Sequence, residues 1–529
     1  MSFPKMPPVN YIRQLRMFND YVPRRARFWT IVVFALFYQC VGGVYLASLP
    51  QMMGDTGWLS EDVNMANYCA LIGLNIIFPI LFRWKFGLFT RQLFFIASGV
   101  IIACSVGAVF VTSPVALWGI CLVAGYFKML GMFGCISTIQ LNFTPTRSFP
   151  VFLPIIYLLV LGGMLISGTI STYVTYYFNW RAMNLVIMVM MVAIEAVTYF
   201  FMKHDHRSGP PIPLKGIDWL GQTLWIAVCV VGAWVFTFGE HYDWWSSPKI
   251  CRGSCLFIII LAATIIYSHY KKEPFIPLRA FCYPKAWMMM LLLMGTAIIQ
   301  GGAHLLHPTL FGGVLNYDSL NQASFNIPEL FGVIMGAILA YFILVRWKWT
   351  VKRYLFLTFF FLTYYALSMF YMCDTATDKE TMYLAIFAFG LAEVLMENIA
   401  TYYLSQNIPF QHFFMNITII GFVRCGLGSS AAGAIAHRIF NRSLAKNYLI
   451  ASESIDMNSV SDQAMQFYNT HSLLMAMKET YGIFVFLGVA LLLIVLVSNF
   501  RGGIKQFVPR LVAVARWMTR KNAPDPMAQ

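Results

Sequence analysis

The sequence predicts an all-α polytopic membrane protein, on three observations. The 529 residues are 59% hydrophobic and 11% charged, with a mean hydropathy of +0.67. That balance lies outside the range of soluble chains of this length. Fourteen apolar runs approach or exceed the roughly 20 residues needed to cross a bilayer. Finally, the tripeptide Arg-Trp-Lys occurs twice, at Arg83-Trp84-Lys85 and at Arg346-Trp347-Lys348, each in a basic loop between two apolar runs. A second echo precedes each copy. Gln39-Cys40-Val41-Gly42-Gly43 leads to Pro50, and Gln300-Gly301-Gly302 leads to Pro308. The two echoes agree in order and in offset, which indicates two related halves. In membrane proteins that is the arrangement of transporters, with the site between the halves.

Taken in order, the first run spans 28–50 and follows Arg24, Arg25 and Arg27. It is too long and too far into the chain for a cleaved signal peptide. Runs at 63–82, 92–112, 114–141, 149–177 and 183–202 complete the first half, with the first basic loop between the second and third runs. The stretch 204–215 contains Gly209-Pro210-Pro211 and Pro213, the breaker composition of a linker. Two runs, 217–238 and 250–270, form an insertion. The last six are 287–309, 325–345, 354–373, 381–404, 412–436 and 480–500, with the second basic loop again after the second. The expected arrangement is therefore 14 transmembrane helices divided 6+2+6. Its segments are a cytoplasmic N-terminal segment 1–27, a six-helix half 28–202, a linker with two inserted helices 203–286, a second six-helix half 287–500, and a tail 501–529. The second half includes a polar external loop, 437–479. The tail alternates basic residues with Ile504, Phe507, Leu511, Val514 and Trp517, the pattern of an interfacial amphipathic helix on the inner leaflet.

Charge sets the orientation. The net charge is +15. With a cytoplasmic N-terminus, about 27 of the 37 Lys and Arg fall on the cytoplasmic side. Both termini are then cytoplasmic, and the basic clusters are membrane flanks against anionic headgroups, not a nucleic-acid site. The eleven cysteines are scattered mostly through the apolar runs and read as packing residues. No cofactor motif, phosphate loop, nucleophile elbow or zinc-protease motif is present. The remote alternative to transport is a membrane-embedded enzyme using His304, His307 and the intramembrane acids. Ion-channel and receptor readings find neither a filter motif nor a ligand-binding domain.

Charged side chains inside an apolar run cost about 2.5–3.5 kcal/mol each on insertion scales, so they mark cavities or partners. Five stand out: Lys128, Glu195, Glu393, Glu397 and Arg424. Glu393 and Glu397 are one turn apart on a single helix face, where mutual repulsion favours holding a proton. They are the proton-coupling candidates, and a fixed ion pair to Arg424 or Lys128 is the structural alternative. Glu195 reads as structural. Candidates for the substrate cavity are Lys128, Arg424, His304, His307, Gln39, Gln300 and Asn398, with Asn75 and Gln140 as further polar lining. His304 and His307 have metal-ligand spacing but no third ligand nearby, so no metal is expected. Arg83, Lys85, Arg346 and Lys348 are expected at the inner face as gating and topology residues. Aromatics (16%) and 30 methionines offer adaptable apolar walls.

The layout resembles the major facilitator superfamily, in particular its fourteen-span drug:proton antiporter branch (EmrB-like). Asp218, Gly221 and Leu224 opening the first inserted run, and Gly239, Trp244 and Ser246 closing it, are similar to that branch. So are Lys272-Glu273-Pro274 through Pro277-Leu278-Arg279-Ala280-Phe281, and Trp180-Arg181 after the fifth run. The chain departs from the pattern at Trp84, which takes an aspartate position, and at Cys121, which takes an arginine position. No proline follows Gly162, Gly163 and Gly168, and the first run has Gln39 but no acid. The resemblance implies proton-coupled export of amphipathic drugs or toxic metabolites across a bacterial inner membrane. It also implies contact with a periplasmic adaptor and an outer-membrane channel, for which the loop 437–479 is the candidate surface. Lys128 and Arg424 at membrane depth suggest an organic-anion transporter as the alternative.

Overall fold

Ahead of helix α1 (Arg24–Gln39), residues 17–22 lie as a strap against the end of the sixth expected run. The Phe18–Met202 bridge and a Lys203–Asp20 ion pair hold it, while the buried Arg27 guanidinium donates to the carbonyls of Val22, Asn19 and Asp20. This description comes from a computed structural model covering residues 15, 17–41, 48–143, 148–209, 211–214, 216–453, 462–498 and 500. The interfacial tail expected at 501–529 lies outside the described residues.

The first expected run, 28–50, is not one helix. Helix α1 has 16 residues, and a separate α2 (Leu49–Thr56) follows. The break has a local cause: the Lys128 ammonium donates to the carbonyls of Gln39 (3.2 Å) and Val41 (2.6 Å), satisfying acceptors that the end of a helix exposes.

The rest of the first half is α3 (Ser60–Ile76), carried by a 3₁₀ turn into α4 (Leu81–Gly87), then α5 (Thr90–Phe110), α6 (Pro114–Phe143), α7 (Phe149–Tyr177) and α8 (Trp180–Phe201). The two runs expected as an insertion form α9 (Trp219–Gly239) and α10 (Pro248–Tyr270). The second half comprises α11 (Pro284–Pro308), the short α12 (Ser319–Ala323), α13 (Asn326–Tyr341), α14 (Val351–Met372), α15 (Lys379–Asn407), α16 (Phe410–Arg424), α17 (Leu427–Glu453) and α18 (Asp462–Val497). Among the described residues, 13 helical stretches are long and apolar enough to cross a membrane; α1 is shorter than these.

Packing repeats between the halves. In the first, α3 crosses α6 and α5 packs on α8; in the second, α13 crosses α15 and α14 packs on α18. Both crossings use glycine where one backbone meets another. A Cβ on Gly125 would lie 2.0 Å from the Ala70 carbonyl oxygen, and one on Gly390 would lie 2.4 Å from that of Glu329. The inserted α9 lies against α3 and α17, one helix from each half, with Trp225 stacked between Phe281 and Phe422. Asp218 opens α9 by accepting from Gly221 N (3.1 Å), Tyr267 Oη (2.7 Å) and Phe275 N (3.0 Å). Helix α10 packs mainly on α9, and only 11% of its most apolar stretch is buried, so it faces lipid.

Of the stretch 437–479, expected as a polar external loop, the described residues are helical on both sides. Helix α17 runs on to Glu453, and α18 begins at Asp462. Hydropathy alone does not detect this, because the helices are held by a narrow seam. Tyr468 Oη donates to the Tyr448 carbonyl (2.6 Å), the two rings lie 5.6 Å apart, and Lys446 pairs with Glu479 (2.9 Å). At 36 residues α18 is about 54 Å long, well beyond a hydrocarbon core of about 30 Å.

Candidate functional site

The halves meet unevenly. Toward the start of α13 they touch: Asn326 Nδ2 donates to Thr169 Oγ1 at 3.0 Å, and Leu330 packs on Gly162. Toward the opposite end, where the first Arg-Trp-Lys copy lies, they part around a cavity of roughly 1420 Å³, part of it open to solvent. The first half lines it from α1, α3, the 3₁₀ turn after it, α4, α6 and α7, and the second half from α15 and α16. The wall is largely aromatic and aliphatic, and includes Phe82, Phe133, Phe413, Phe414, Met129 and Met132.

Lys128 occupies the middle of the 30-residue α6 and faces this cavity. Gln39 beside it is buried and donates to the Val160 carbonyl at 2.9 Å, tying α1 to α7. Across the cavity, Arg424 ends α16. Its position follows from a break in a long span: Cys425 is extended, Gly426 has φ +75°, and α17 starts afresh at Leu427. A cation in the last turn of α16 complements the negative end of the helix dipole. The Arg424 guanidinium donates to the Glu397 carboxylate of α15. The Tyr157 hydroxyl of α7 hydrogen-bonds Thr401, one turn on from Glu397, and lies within electrostatic reach of Arg424 and Glu397. The pair is therefore at the cavity wall where the two halves join.

The remaining sequence candidates are dispersed. Glu393 lies one turn from Glu397, outside the cavity lining, within reach of Glu329, Glu397 and Arg424. Asn398 is fully buried, its amide donating to the Val394 carbonyl of its own helix. His307 packs in an aromatic cluster of the second half with Phe389, Phe311 and Tyr365, its Nε2 sharing a 2.7 Å hydrogen bond with the Tyr365 hydroxyl, while His304 touches Phe389 from an exposed position. Neither histidine lines the cavity, and neither does Gln300. Among the described residues no group of three His, Cys, Asp or Glu is placed to hold a metal. Glu195 accepts from Ser98 at 3.1 Å, joining α8 to α5.

The two basic loops are not equivalent. Lys85 is buried, donating to Ser137 with its ammonium 5.4 Å from the Phe133 ring centre, and Trp84 Nε1 donates to Tyr126 Oη at 3.1 Å. Arg346 and Lys348 are exposed, and Lys348 sits in the left-handed region with φ +50°. Two further residues are not singled out by sequence. Tyr157 reads as one aromatic among many in an apolar run. Glu329 lies in the first turn of α13, where an acid reads as ordinary dipole complement.

Comparison with known proteins places this geometry in a family. The profile of the Major Facilitator Superfamily matches residues 35–433. A 257-residue stretch is 26% identical to the uncharacterized MFS-type transporter YubD of Bacillus subtilis (strain 168), covering 46% of this chain and 46% of that protein. The match thus spans about half the length of that relative. The fold is similar to crystal structures of the peptide transporter POT (TM-score 0.57, 15% identity, 93% of this chain and 98% of that one). It is also similar to the nucleoside transporter NupG (TM-score 0.54, 10% identity, 89% and 98%).

Proposed function

The chain belongs to the Major Facilitator Superfamily, and we propose that it is a secondary active transporter exporting amphipathic drugs or toxic metabolites by alternating access. Family membership points to a membrane transporter and away from an enzyme. The observation that carries the reading is the cavity: it lies between the halves, draws lining from both, and is closed at one end by the Asn326–Thr169 contact. The skew of Lys and Arg supports an inner-membrane protein with both termini cytoplasmic, and the cavity then faces the cytoplasm. The twofold repetition of helix crossings and the position of α9 and α10 support the 6+2+6 division, with α1 as its first and shortest span.

Proton coupling is assigned to Glu397, with Glu393 beside it. In the cytoplasm-facing state Arg424 stabilises the Glu397 carboxylate, which favours proton release inward. Protonation from outside weakens the pair and frees α15 and α16 to move relative to α7. Arg83, Lys85, Arg346 and Lys348 act in gating and topology, Lys85 by holding α4 against α6. The packed ends of α17 and α18 are the surface offered to a periplasmic adaptor and, through it, to an outer-membrane channel.

The test is uptake into inside-out proteoliposomes under an imposed proton gradient, with a panel of amphipathic dyes. Accumulation that collapses when the gradient is dissipated is expected. Dyes that equilibrate without concentrating, at the same rate as in protein-free liposomes, contradict the proposal.

A further inference from the structure

We propose that the cavity is built for amphipathic organic anions, with Lys128 as the residue that holds the anionic group. This rests on the transporter reading and narrows its substrate class.

Three observations on the cavity converge. Its lining contains no aspartate or glutamate. Among the described residues it contains two cations, Lys128 and Arg424, of which Arg424 is already neutralised by Glu397 behind it. No carboxylate among the described residues pairs with Lys128. Among the described residues the cavity wall therefore carries one positive charge with no carboxylate partner, in apolar surroundings. There the attraction for an anion, and the repulsion of a cation, is far stronger than in water.

A purely structural role does not require that charge. The Lys128 ammonium has three donors, and the carbonyls of Gln39 and Val41 take two. A neutral amide can cap the same carbonyls. A charge at the centre of a membrane helix costs about 2.5–3.5 kcal/mol, and helix capping alone does not call for it. The rest of the lining matches the other part of such a ligand. Phe133, Met129, Met132 and Ile136 share α6 with Lys128, and Phe413, Phe414 and Ile417 face them from α16. Asn75 adds a buried, unpartnered side-chain oxygen next to Gly421, a place for a ligand donor. The predicted ligand has an aromatic or branched aliphatic body and one carboxylate, sulfonate or phosphate group.

The experiment is equilibrium binding to the full chain in lipid nanodiscs, with empty nanodiscs subtracted. Three probes share one ring system: naphthalene-2-sulfonate, 2-naphthalenemethanol and 2-naphthylmethylammonium. The wild type should bind the sulfonate about 10- to 100-fold tighter than the alcohol, the worth of one hydrogen bond to a charged group. The ammonium probe should bind weakest. Lys128→Gln should remove the preference for sulfonate while leaving the affinity for the alcohol unchanged, and Lys128→Arg should keep it. Equal binding of all three probes by the wild type overturns the proposal, as does tightest binding of the ammonium or failure of all three to bind. These wild-type results do not depend on whether a variant folds. Counterflow of the sulfonate in proteoliposomes separates the two claims. Charge-selective binding without counterflow sinks the transporter reading and leaves the anion site standing; counterflow without charge selectivity does the reverse.

Discussion

Removing the Glu397 carboxylate should cost more than removing both members of its ion pair. Glu397 and Arg424 have side chains only 12% and 27% exposed, so Glu397→Gln strands a guanidinium in a largely dry wall. Breaking a fully buried pair on one side costs about 3–5 kcal/mol, whereas replacing both members by well-packed neutral groups is often close to neutral. The open side of the cavity wets Arg424 and lowers the single-mutant figure to roughly 2–3 kcal/mol. Thermal unfolding of the purified protein, followed by intrinsic fluorescence, reads the order of four proteins. Wild type and Glu397→Gln/Arg424→Met should lie close together, with Glu397→Gln and Arg424→Met both well below. The non-additivity of the cycle isolates the pair. If Glu397→Gln unfolds at the wild-type temperature, the pair does not form and the coupling role built on it falls. In proteoliposomes the same variant should keep counterflow and lose gradient-driven accumulation.

Other outcomes follow from the packing. Gly390→Leu should destabilise by about 1–3 kcal/mol or prevent insertion, since its Cβ meets the Glu329 carbonyl; Gly54→Ala, with open space around it, should be neutral in the same melt. Burial alone would raise the Glu240 carboxyl, but hydrogen bonds from Trp244 and Asn441 and the Arg438 charge hold it below the usual glutamate value of 4.5. Its contribution is therefore present above pH 4.5 and is lost as pH falls through the lower folded value. Glu240→Gln should lower stability by about 1 kcal/mol at pH 7, a figure discounted for the exposure of Arg438, and by nothing measurable once Glu240 is protonated; melts across pH check both. Cysteine replacing Lys348 should react with a membrane-impermeant maleimide only in inside-out vesicles, and cysteine replacing Asp243 only in right-side-out cells.

Much of the fold is legible in composition and hydropathy, because crossing a bilayer demands long apolar helices and little else satisfies backbone polar groups there. What is hidden depends on contacts between distant residues. The helix break after Gln39 depends on Lys128 arriving from α6, and the break at Gly426 sits inside an apolar run without a proline to announce it. The helical parts of 437–479 look like a loop because their polar faces outweigh a narrow tyrosine seam. Identical tripeptides end in different surroundings, since Lys85 finds Ser137 on α6 whereas Arg346 and Lys348 face outward. At the site, charge at membrane depth singles out Lys128, Glu397 and Arg424. It equally suggests His304 and His307, of which the fold packs His307 against Tyr365 in the second half and leaves His304 exposed, both away from the cavity lining.

Transport through this cavity requires the two halves to exchange access to it. Cysteines replacing Thr169 and Asn326, in a background whose other cysteines are replaced, stand at the closed end where the halves touch. Joining them with a short reducible bis-methanethiosulfonate should abolish counterflow of a transported dye in proteoliposomes, and dithiothreitol should restore it. Counterflow that continues unchanged in fully cross-linked protein would contradict alternating access through this cavity.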